Sequence, residues 1–420
     1  MIHILHTADL HLGKIIFELS LLQDQKHVLN QLLTEVCKKD LEERDFFYSA
    51  LIISGDIYDR SIPPPEAVEL FDEFLTSLRK SHPSLHIFII PGNHDSAQRL
   101  SYASRILSGQ NIHIATTPRD TRSFTILEKG EEKLGVFQIP FLSPSFYSGG
   151  DEDTSRSLYT QNEILKSVIQ NIEKVYNDEI VPEKGALPCI VSAHVFTLGS
   201  QTSDSERAFL GTAEIVSAQL FDFFSYTALG HIHKPQKAGS RAYYAGSPLA
   251  YSFSEAGIIK SFLHASFDCT SASADGGLMP LAPFEIETIP VIPLHNASRL
   301  KGEFNDFYSG TRFDNFKDDY LEINLTGDCL IESPMLLLKT KFKNLLSIRQ
   351  GEALDGNHNQ LSAMSEGRKT ALDGGKALDA VFEAFVRDIY PEPESTDVIS
   401  QLLDLFLEIA KETEQKEKEL

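Results

Sequence analysis

The chain has 420 residues, which suits two or three domains, and 42% of them are apolar, enough for a sizeable core. Its 38 basic and 60 acidic side chains give a formal net charge of −22, which argues against a protein that holds nucleic acid on a generally basic surface. The four cysteines form no C-x-x-C pair, and there is neither a signal pattern nor an apolar run of about 18 residues, so we expect no disulfide framework, no cysteine-ligated zinc, no membrane span and a cytoplasmic location.

Strand-like and helix-like patterns alternate through the first 290 residues. Short apolar strands are predicted at residues 2–6, 50–54, 86–90, 134–139, 189–193 and 226–229. Amphipathic helices are predicted at residues 28–36, 68–78 and 164–176. This alternation indicates an α/β layered domain over residues 1–290.

The pattern changes after about residue 290. Two strands at residues 319–325 and 345–349, with a short helix at 335–342 between them, predict a small α+β domain over residues 291–350. Residues 351–375 are rich in Gly, Ser, Asn and Asp and predict a flexible linker. Residues 376–420 predict a pair of amphipathic helices with 5 basic and 12 acidic side chains. The paired apolar stripes favour docking on a partner, and packing back on the body is the alternative.

Polar motifs follow five of the predicted strands. They are Asp9-x-His11, Gly55-Asp56-x-x-Asp59, Gly92-Asn93-His94-Asp95, Ala193-His194 and Gly230-His231-x-His233. Ligand sites in open α/β sheets form beyond the carboxyl ends of the strands, so these side chains are expected to converge on one edge. Imidazoles and carboxylates without thiolates suit Mn, Fe or Zn. Two such ions sharing a carboxylate can activate water and bind a phosphoryl group.

Each of these residues has an expected role. Asp56 is the natural bridge, because the glycine before it lets the chain turn sharply at the strand end. His94 is left beside the ions, where it would stabilise the pentacovalent phosphate or protonate the leaving oxygen, and Asp95 would orient it by a hydrogen bond. Asp59 either supports the site or caps the following turn. The remaining six divide into two ligand sets, one for each ion: Asp9, His11 and His233, and Asn93, His194 and His231.

The five motifs, in this order, resemble the calcineurin-like metallophosphoesterase superfamily. Residues 6–13, 55–64, 229–236 and 245–248 resemble more closely the bacterial SbcD nuclease family, the counterpart of the double-strand-break repair nucleases of archaea and eukaryotes. The resemblance covers roughly residues 1–350 and implies a layered β-sandwich flanked by helices, a small α+β capping domain and a C-terminal helical tail. The ligand assignment agrees with the family's pattern, although some relatives carry histidine where this chain has Asp59.

This resemblance also implies an activity. The chain would be the nuclease subunit of a DNA repair complex. It would use two divalent ions, with manganese as the working metal and magnesium or another divalent ion as the alternative. It would act on double-stranded DNA ends as an exonuclease and on hairpins or blocked ends as an endonuclease, under ATP gating. Residues 376–420 would bind an SbcC-type ATPase, and residues 68–78 with 97–107 would supply a homodimer contact within a heterotetramer.

Two questions stay open at this point. Four basic residues form a cluster that either contacts the DNA backbone or is a solvated face: Lys339, Lys341, Lys343 and Arg349. The substrate class is the second question, because a phosphatase or cyclic-nucleotide phosphodiesterase can use the same scaffold. A catalytically inert scaffold is disfavoured, since every expected ligand is present. The excess of acidic residues predicts weak intrinsic affinity for DNA and hence a need for a partner.

Overall fold

A computed structural model describes residues 1–38, 45–142, 160–203, 215–273, 279–327 and 330–350. The linker predicted at residues 351–375 and the helix pair predicted at 376–420 lie outside the described residues.

Strands alternate with helices over most of the described chain. The strands are β1 (Ile2–Thr7), β2 (Ile15–Ile16), β3 (Leu19–Ser20), β4 (Ala50–Ser54), β5 (His86–Ile90), β6 (Ile112–Ile114), β7 (Phe124–Lys129), β8 (Glu132–Ile139), β9 (Cys189–His194), β10 (Phe196–Thr197), β11 (Ile215–Val216), β12 (Tyr226–Gly230), β13 (Gln236–Lys237), β14 (Ala242–Tyr244), β15 (Ser261–Phe267), β16 (Phe284–Pro290), β17 (Ala297–Glu303), β18 (Tyr320–Thr326) and β19 (Leu345–Gln350). The α-helices are α1 (Leu22–Cys37), α2 (Pro65–Ser81), α3 (Ala97–Leu100), α4 (Ser104–Ser108), α5 (Gln161–Val175), α6 (Val181–Lys184), α7 (Phe304–Tyr308) and α8 (Pro334–Lys339).

Two six-stranded sheets form the main body. The first has the order β16-β15-β1-β4-β5-β6, and the second has the order β13-β14-β12-β9-β8-β7. In the first sheet β1, β4, β5 and β6 run parallel, as β8, β9, β12 and β14 do in the second. The carboxyl ends of β1 and β4, and those of β9 and β12, therefore lie side by side within each sheet.

The two sheets pack face to face. Their shared core includes Ile4 and Ile52 from the first sheet and Ile190 and Ala228 from the second, all fully buried. Helices α1 and α2 cover the outer face of the first sheet, and α5 covers that of the second. Strands buried on both faces read as continuous apolar runs, which is why β4 is Ala-Leu-Ile-Ile-Ser. The expected α/β fold, a layered β-sandwich flanked by helices, is confirmed.

Helix ends follow from local sequence. Helix α5 begins at a capping box, in which Thr160 and Glu163 each accept a hydrogen bond from the other's backbone. Helix α2 begins with Pro65, whose missing N–H is unpaired in a first turn anyway, and it ends with Arg79 and Lys80 beside its negative pole. These signals position α2 and α5 against the sheets.

By its internal contacts the chain divides into two compact units. One comprises Met1–Leu300, Gly310–Ile323 and Met335–Ile348, and it contains both six-stranded sheets. The other includes Lys301–Ser309 and Asn324–Pro334, and in it α7 begins at a capping box between Glu303 and Asp306. Strands β17, β18 and β19 form a three-stranded sheet in that order. The domain boundaries predicted from the sequence stay predictions. Within the described residues, no helix is both long and apolar enough to cross a membrane.

Candidate metal centre

The site is built on unusual backbone at the strand ends. Asp9, His11, Asp56 and His231 all have positive φ, at 53°, 43°, 49° and 105°. Residues other than glycine adopt this region at a cost of roughly 1–3 kcal/mol, and such residues cluster at functional sites. Gly55 also has positive φ, at 89°, and a Cβ there would collide with the ring of His194. The sharp turn expected before Asp56 is therefore present. It lets the His194 side chain, from the second sheet, come close to Asp56 at the end of β4.

Three predicted ligands meet beside β1 and β12. Asp9, His11 and His233 are buried and bring one ligand atom each within 4.8 Å of one another. The Nε2 atoms of His11 and His233 are 3.1 Å apart. We call these three residues the first cluster.

Three further predicted ligands meet beside β5, β9 and β12. The Oδ1 atom of Asn93 lies 3.0 Å from Nε2 of His194 and 3.0 Å from Nδ1 of His231. The two imidazole nitrogens are 3.3 Å from each other. We call Asn93, His194 and His231 the second cluster.

Asp56 lies between the two clusters. Its Oδ2 atom is 3.6 Å from Nε2 of His11 in the first cluster and 3.5 Å from Nε2 of His194 in the second. Its Oδ1 atom accepts a hydrogen bond of 3.0 Å from the backbone N–H of His94. One carboxylate thus faces both sets of imidazoles, as the sequence predicted for a bridge.

Buried imidazoles that face one another suit a cation. Burial lowers the pKa of His11 to about 4 and that of His231 to about 3, and it also lowers the pKa of His194, so these rings are neutral near pH 7. Although burial alone raises it, the pKa of Asp56 falls well below its usual range because of the His194, His11 and His94 rings. The buried Nε2 of His231 has no hydrogen-bond partner among the described residues. Neutral imidazole nitrogens that face one another beside an ionised carboxylate are suitable ligands for divalent metal ions.

His94 lies next to the first cluster. Its ring packs edge-on against that of His11, with centroids 4.9 Å apart. Its Nδ1 is 3.0 Å from the backbone carbonyl oxygen of Asp59, so Nδ1–H donates to that oxygen and the neutral ring carries its lone pair on Nε2. Orientation of the ring therefore comes from the carbonyl of Asp59.

Asp95 has a different role from the one that the sequence predicted. Its carboxylate accepts hydrogen bonds from the backbone N–H groups of Ile57, Tyr58 and Gly92, at 3.0, 2.9 and 3.0 Å. Burial, together with the neighbouring Asp56 carboxylate, raises the pKa of Asp95 to about 7. Asp95 thus ties the loop after β4 to the loop after β5, and it holds the backbone under Asp56 rather than the ring of His94.

Asp59 supports the site through both its backbone and its side chain. Its Oδ1 atom lies 2.7 Å from Nζ of Lys14 and 3.5 Å from Nδ1 of His11. The ligand atoms of His11, Asp59 and His94 also lie within 4.8 Å of one another. Of the two roles weighed for Asp59, the structure favours support of the site.

The sequence analysis missed a buried ion pair beside His233. Oε1 of Glu255 lies 3.3 Å from Nδ1 of His233, and Oε2 of Glu255 accepts a 2.6 Å hydrogen bond from Nζ of Lys260. Both residues follow β14 outside every recognised motif, and a Glu and a Lys five positions apart carry no signal of burial. Only the fold brings them together.

The predicted DNA-binding residues lie apart from these clusters in the sequence. Nζ of Lys341 lies 2.9 Å from Oδ1 of Asp314 and also donates to the carbonyl of Gly310. Its charge is therefore compensated within the protein. A role in DNA binding for Lys339, Lys341, Lys343 and Arg349 stays a prediction.

Comparison with known proteins places this geometry in a family. The structure is similar to that of the sulfate thiohydrolase SoxB from Thermus thermophilus in complex with glycerol, with 11% identity and a TM-score of 0.36 over 69% of this chain and 56% of that one. It is also similar to the NAD nucleotidase NadN of Haemophilus influenzae, with 12% identity and a TM-score of 0.29 over 84% of this chain and 64% of that one. The chain thus spans less than two thirds of either protein. The family described as calcineurin-like phosphoesterase matches residues 2–235, more than half of the chain. The chain belongs to the calcineurin-like phosphoesterase family.

Proposed function

We propose that this protein is a two-metal DNA nuclease of the SbcD type. Membership of the phosphoesterase family makes it a metal-dependent phosphoester hydrolase. The observation that carries the two-metal mechanism is the single carboxylate of Asp56, 3.6 and 3.5 Å from imidazoles of two different clusters. The motifs at residues 55–64 and 229–236, together with the region 291–350 that follows the catalytic body, support DNA as the substrate.

The proposed mechanism assigns each group one task. Asp9, His11 and His233 would hold one ion, Asn93, His194 and His231 the other, and Asp56 both. When bound, the ions activate water and neutralise negative charge on the phosphoryl group. Four histidines among the ligands favour manganese over magnesium, which prefers oxygen ligands. His94, fixed at Nδ1 by the Asp59 carbonyl, would donate from Nε2 in its imidazolium form to a phosphoryl oxygen or to the leaving oxygen.

The proposal also includes partners. Residues 376–420 would dock on an SbcC-type ATPase that gates cleavage with ATP, and the two chains would form a heterotetramer around a homodimer of this one. Three large apolar side chains of the suggested homodimer region are well exposed, which supports a contact there: Val68, Tyr102 and Ile106. The net charge of −22 supports dependence on that assembly for holding DNA.

End-labelled duplex DNA tests this function. The full chain, with and without the partner ATPase and ATP, is incubated with blunt, hairpin and blocked-end duplexes while Mn²⁺ and Mg²⁺ are varied. We expect Mn²⁺-dependent shortening of ends and nicking near hairpins, enhanced by the partner. Intact duplexes under all conditions would contradict the nuclease.

The rival function uses the same site on a smaller substrate. Hydrolysis of p-nitrophenyl phosphate or of a cyclic nucleotide, with all duplexes left intact, would favour a phosphatase or cyclic-nucleotide phosphodiesterase. Such a result would keep the metal centre and replace only the substrate.

A further inference from the structure

The two clusters differ in charge. Besides the shared Asp56, the first cluster contributes a second carboxylate, Asp9, whereas the second cluster contributes the neutral amide of Asn93. Asp9 is fully buried, and both of its oxygens accept from the backbone N–H of His231, at 3.0 and 3.2 Å. Asp9 also lies 4.0 Å from His194, but at Nδ1, the nitrogen that faces the Ser54 carbonyl rather than Asn93. A divalent ion at the first cluster would therefore meet two carboxylates, and an ion at the second would meet one.

The imidazoles of the two clusters also have different supports. His233 of the first cluster has Nδ1 at 3.3 Å from the carboxylate of Glu255. His194 of the second cluster has Nδ1 at 2.9 Å from the neutral backbone carbonyl of Ser54. A carboxylate behind an imidazole fixes its tautomer and raises its basicity as a metal ligand more than a neutral carbonyl does.

The Glu255 carboxylate belongs to a buried network. It is fully buried, and its Oε2 atom accepts a 2.6 Å hydrogen bond from Nζ of Lys260, whose positive charge compensates that of the carboxylate. Nζ of Lys260 also donates to the backbone carbonyl of His233 at 2.9 Å, so the ion pair holds both the ring and the backbone of that ligand. Glu255 also accepts hydrogen bonds from the hydroxyls of Ser203, Ser247 and Ser252, at 3.2, 3.4 and 3.1 Å.

We infer that the protein binds its two divalent ions unequally, the first cluster binding the tighter one, and that Glu255 is the positioning residue responsible for part of that difference. The inference rests on the proposed two-metal function. It follows from the extra carboxylate in the first cluster and from the buried carboxylate behind His233, which is paired with Lys260.

A manganese titration tests the inequality. The metal-free full chain is titrated with Mn²⁺, and the unbound ion is measured by its electron paramagnetic resonance signal. We expect two classes of site, with dissociation constants at least about tenfold apart. Two sites of equal affinity would overturn the inference and leave the proposed function standing. No bound Mn²⁺ at all would contradict the proposed function itself.

Variants of Glu255 test the positioning role. Glu255→Gln should weaken the tighter class roughly 10–100-fold and leave the weaker class unchanged, and Glu255→Asp should restore part of the loss. The matched control is Glu287→Gln, because Glu287 lies 3.2 Å from Nδ1 of His264 and supports an imidazole outside both clusters. That control should change neither class. Equal weakening of both classes by Glu255→Gln, or no weakening, would overturn the assignment.

Glu255→Gln leaves Lys260 buried without its counter-ion and can cost stability. The double variant Glu255→Gln/Lys260→Met removes both charges, and its melting is followed by circular dichroism. The affinity of the tighter class should fall by a similar factor in this double variant, while the protein remains folded. Asn93→Ala gives an independent reading, because it should weaken only the weaker class. Weakening of the tighter class by Asn93→Ala would show that the two clusters were assigned in reverse.

Discussion

Histidines at the strand ends and histidines inside the strands have different surroundings in this protein. The rings of His11, His194 and His233 lie close to Asp9 or Asp56, and His231 donates its backbone N–H to Asp9. His6 of β1 instead lies between hydroxyls, with Nδ1 2.9 Å from the Tyr226 oxygen and Nε2 3.2 Å from Oγ of Ser54. The comparison shows that imidazole density alone does not make a metal site here. Buried carboxylates distinguish the two regions, because the Glu287 carboxylate beside His264 of β15 is exposed.

Other histidines inside strands repeat the contrast. His86 and His113 have ring nitrogens 3.0 Å apart and stack at an angle of 5°, beside Phe88. His3 is 3.1 Å from His264 and stacks on Phe46. These pairs have nitrogen separations like those in the metal centre, yet their neighbours are largely aromatic. In such surroundings one imidazole donates an N–H hydrogen bond to the other, and both rings stack on their aromatic neighbours.

Removing the Asp56 carboxylate should have the largest effect on the contrast between the metal centre and the histidines inside the strands. Asp56→Ala deletes a carboxylate that faces both clusters, so we expect loss of both ions and a fall of hydrolysis to background. Metal content by plasma mass spectrometry and cleavage of labelled duplex give the two readings. The His86–His113 and His3–His264 pairs remain intact in this variant. Tight metal binding that persists at these pairs would therefore show that imidazoles without a buried carboxylate suffice for a metal site.

Replacing His94 separates catalysis from metal binding. His94→Gln keeps a hydrogen-bonding side chain but removes the imidazole, and His94 belongs to neither cluster. We expect both ions to remain and the cleavage rate to fall roughly 10²–10⁴-fold. The same metal analysis and a single-turnover cleavage assay measure this. Loss of an ion would show that His94 is itself a ligand.

His6 offers the corresponding test inside the strands. Burial lowers its pKa from 6.5 to about 3, so the folded state holds it neutral while the unfolded chain protonates it near pH 6.5. Its contribution to stability is therefore complete above pH 6.5 and is lost as the pH falls towards 3. Protonation of His6 in the unfolded chain should reduce the free energy of unfolding by about 2 kcal/mol when the pH falls from 7 to 5.

His6→Gln removes that titration without removing hydrogen-bonding capacity. Urea unfolding in the presence of a chelator should show a shallower loss of stability between pH 7 and pH 5 than in the natural chain. Manganese binding should be unchanged at pH 7. An identical pH dependence in the two proteins would contradict the neutral buried state of His6.

The smallest effect is expected at His113. Its ring is partly exposed and pairs with another partly exposed imidazole, so His113→Gln should change the free energy of unfolding by about 1 kcal/mol or less. Metal content should not change. A large loss of bound metal would mean that the strand-interior pairs matter to the centre.

Much of the catalytic body could be predicted from periodicity and motif placement. The predicted strands at residues 50–54 and 86–90 coincide with β4 and β5, and the apolar runs before His194 and His231 form β9 and β12. Polar residues directly after such runs had to converge, because parallel strands end at one edge. Residue type then identified the candidate ligands, and their assignment to two ions stays a prediction.

Interactions made by backbone atoms and by distant loops could not be predicted. The orientation of His94 depends on the carbonyl of Asp59, and a carbonyl is present in every residue. The Asp95 carboxylate binds three N–H groups from two loops, which no side-chain pattern reveals. Glu255 and Lys260 come together with His233 only after β14 and β15 have taken their places, 22 residues beyond that histidine in the case of Glu255. Sequence identifies residue types, whereas these contacts depend on tertiary packing.

The left-handed backbone at Asp9, His11, Asp56 and His231 has a consequence for the evolution of this protein. Glycine at any of these positions would relieve conformational strain, since it adopts positive φ without steric cost. A search for more heat-resistant variants would therefore favour the very substitutions that delete ligands. At these four positions selection for thermal stability and selection for metal binding oppose each other, so a thermostability screen should be run together with a measurement of metal content.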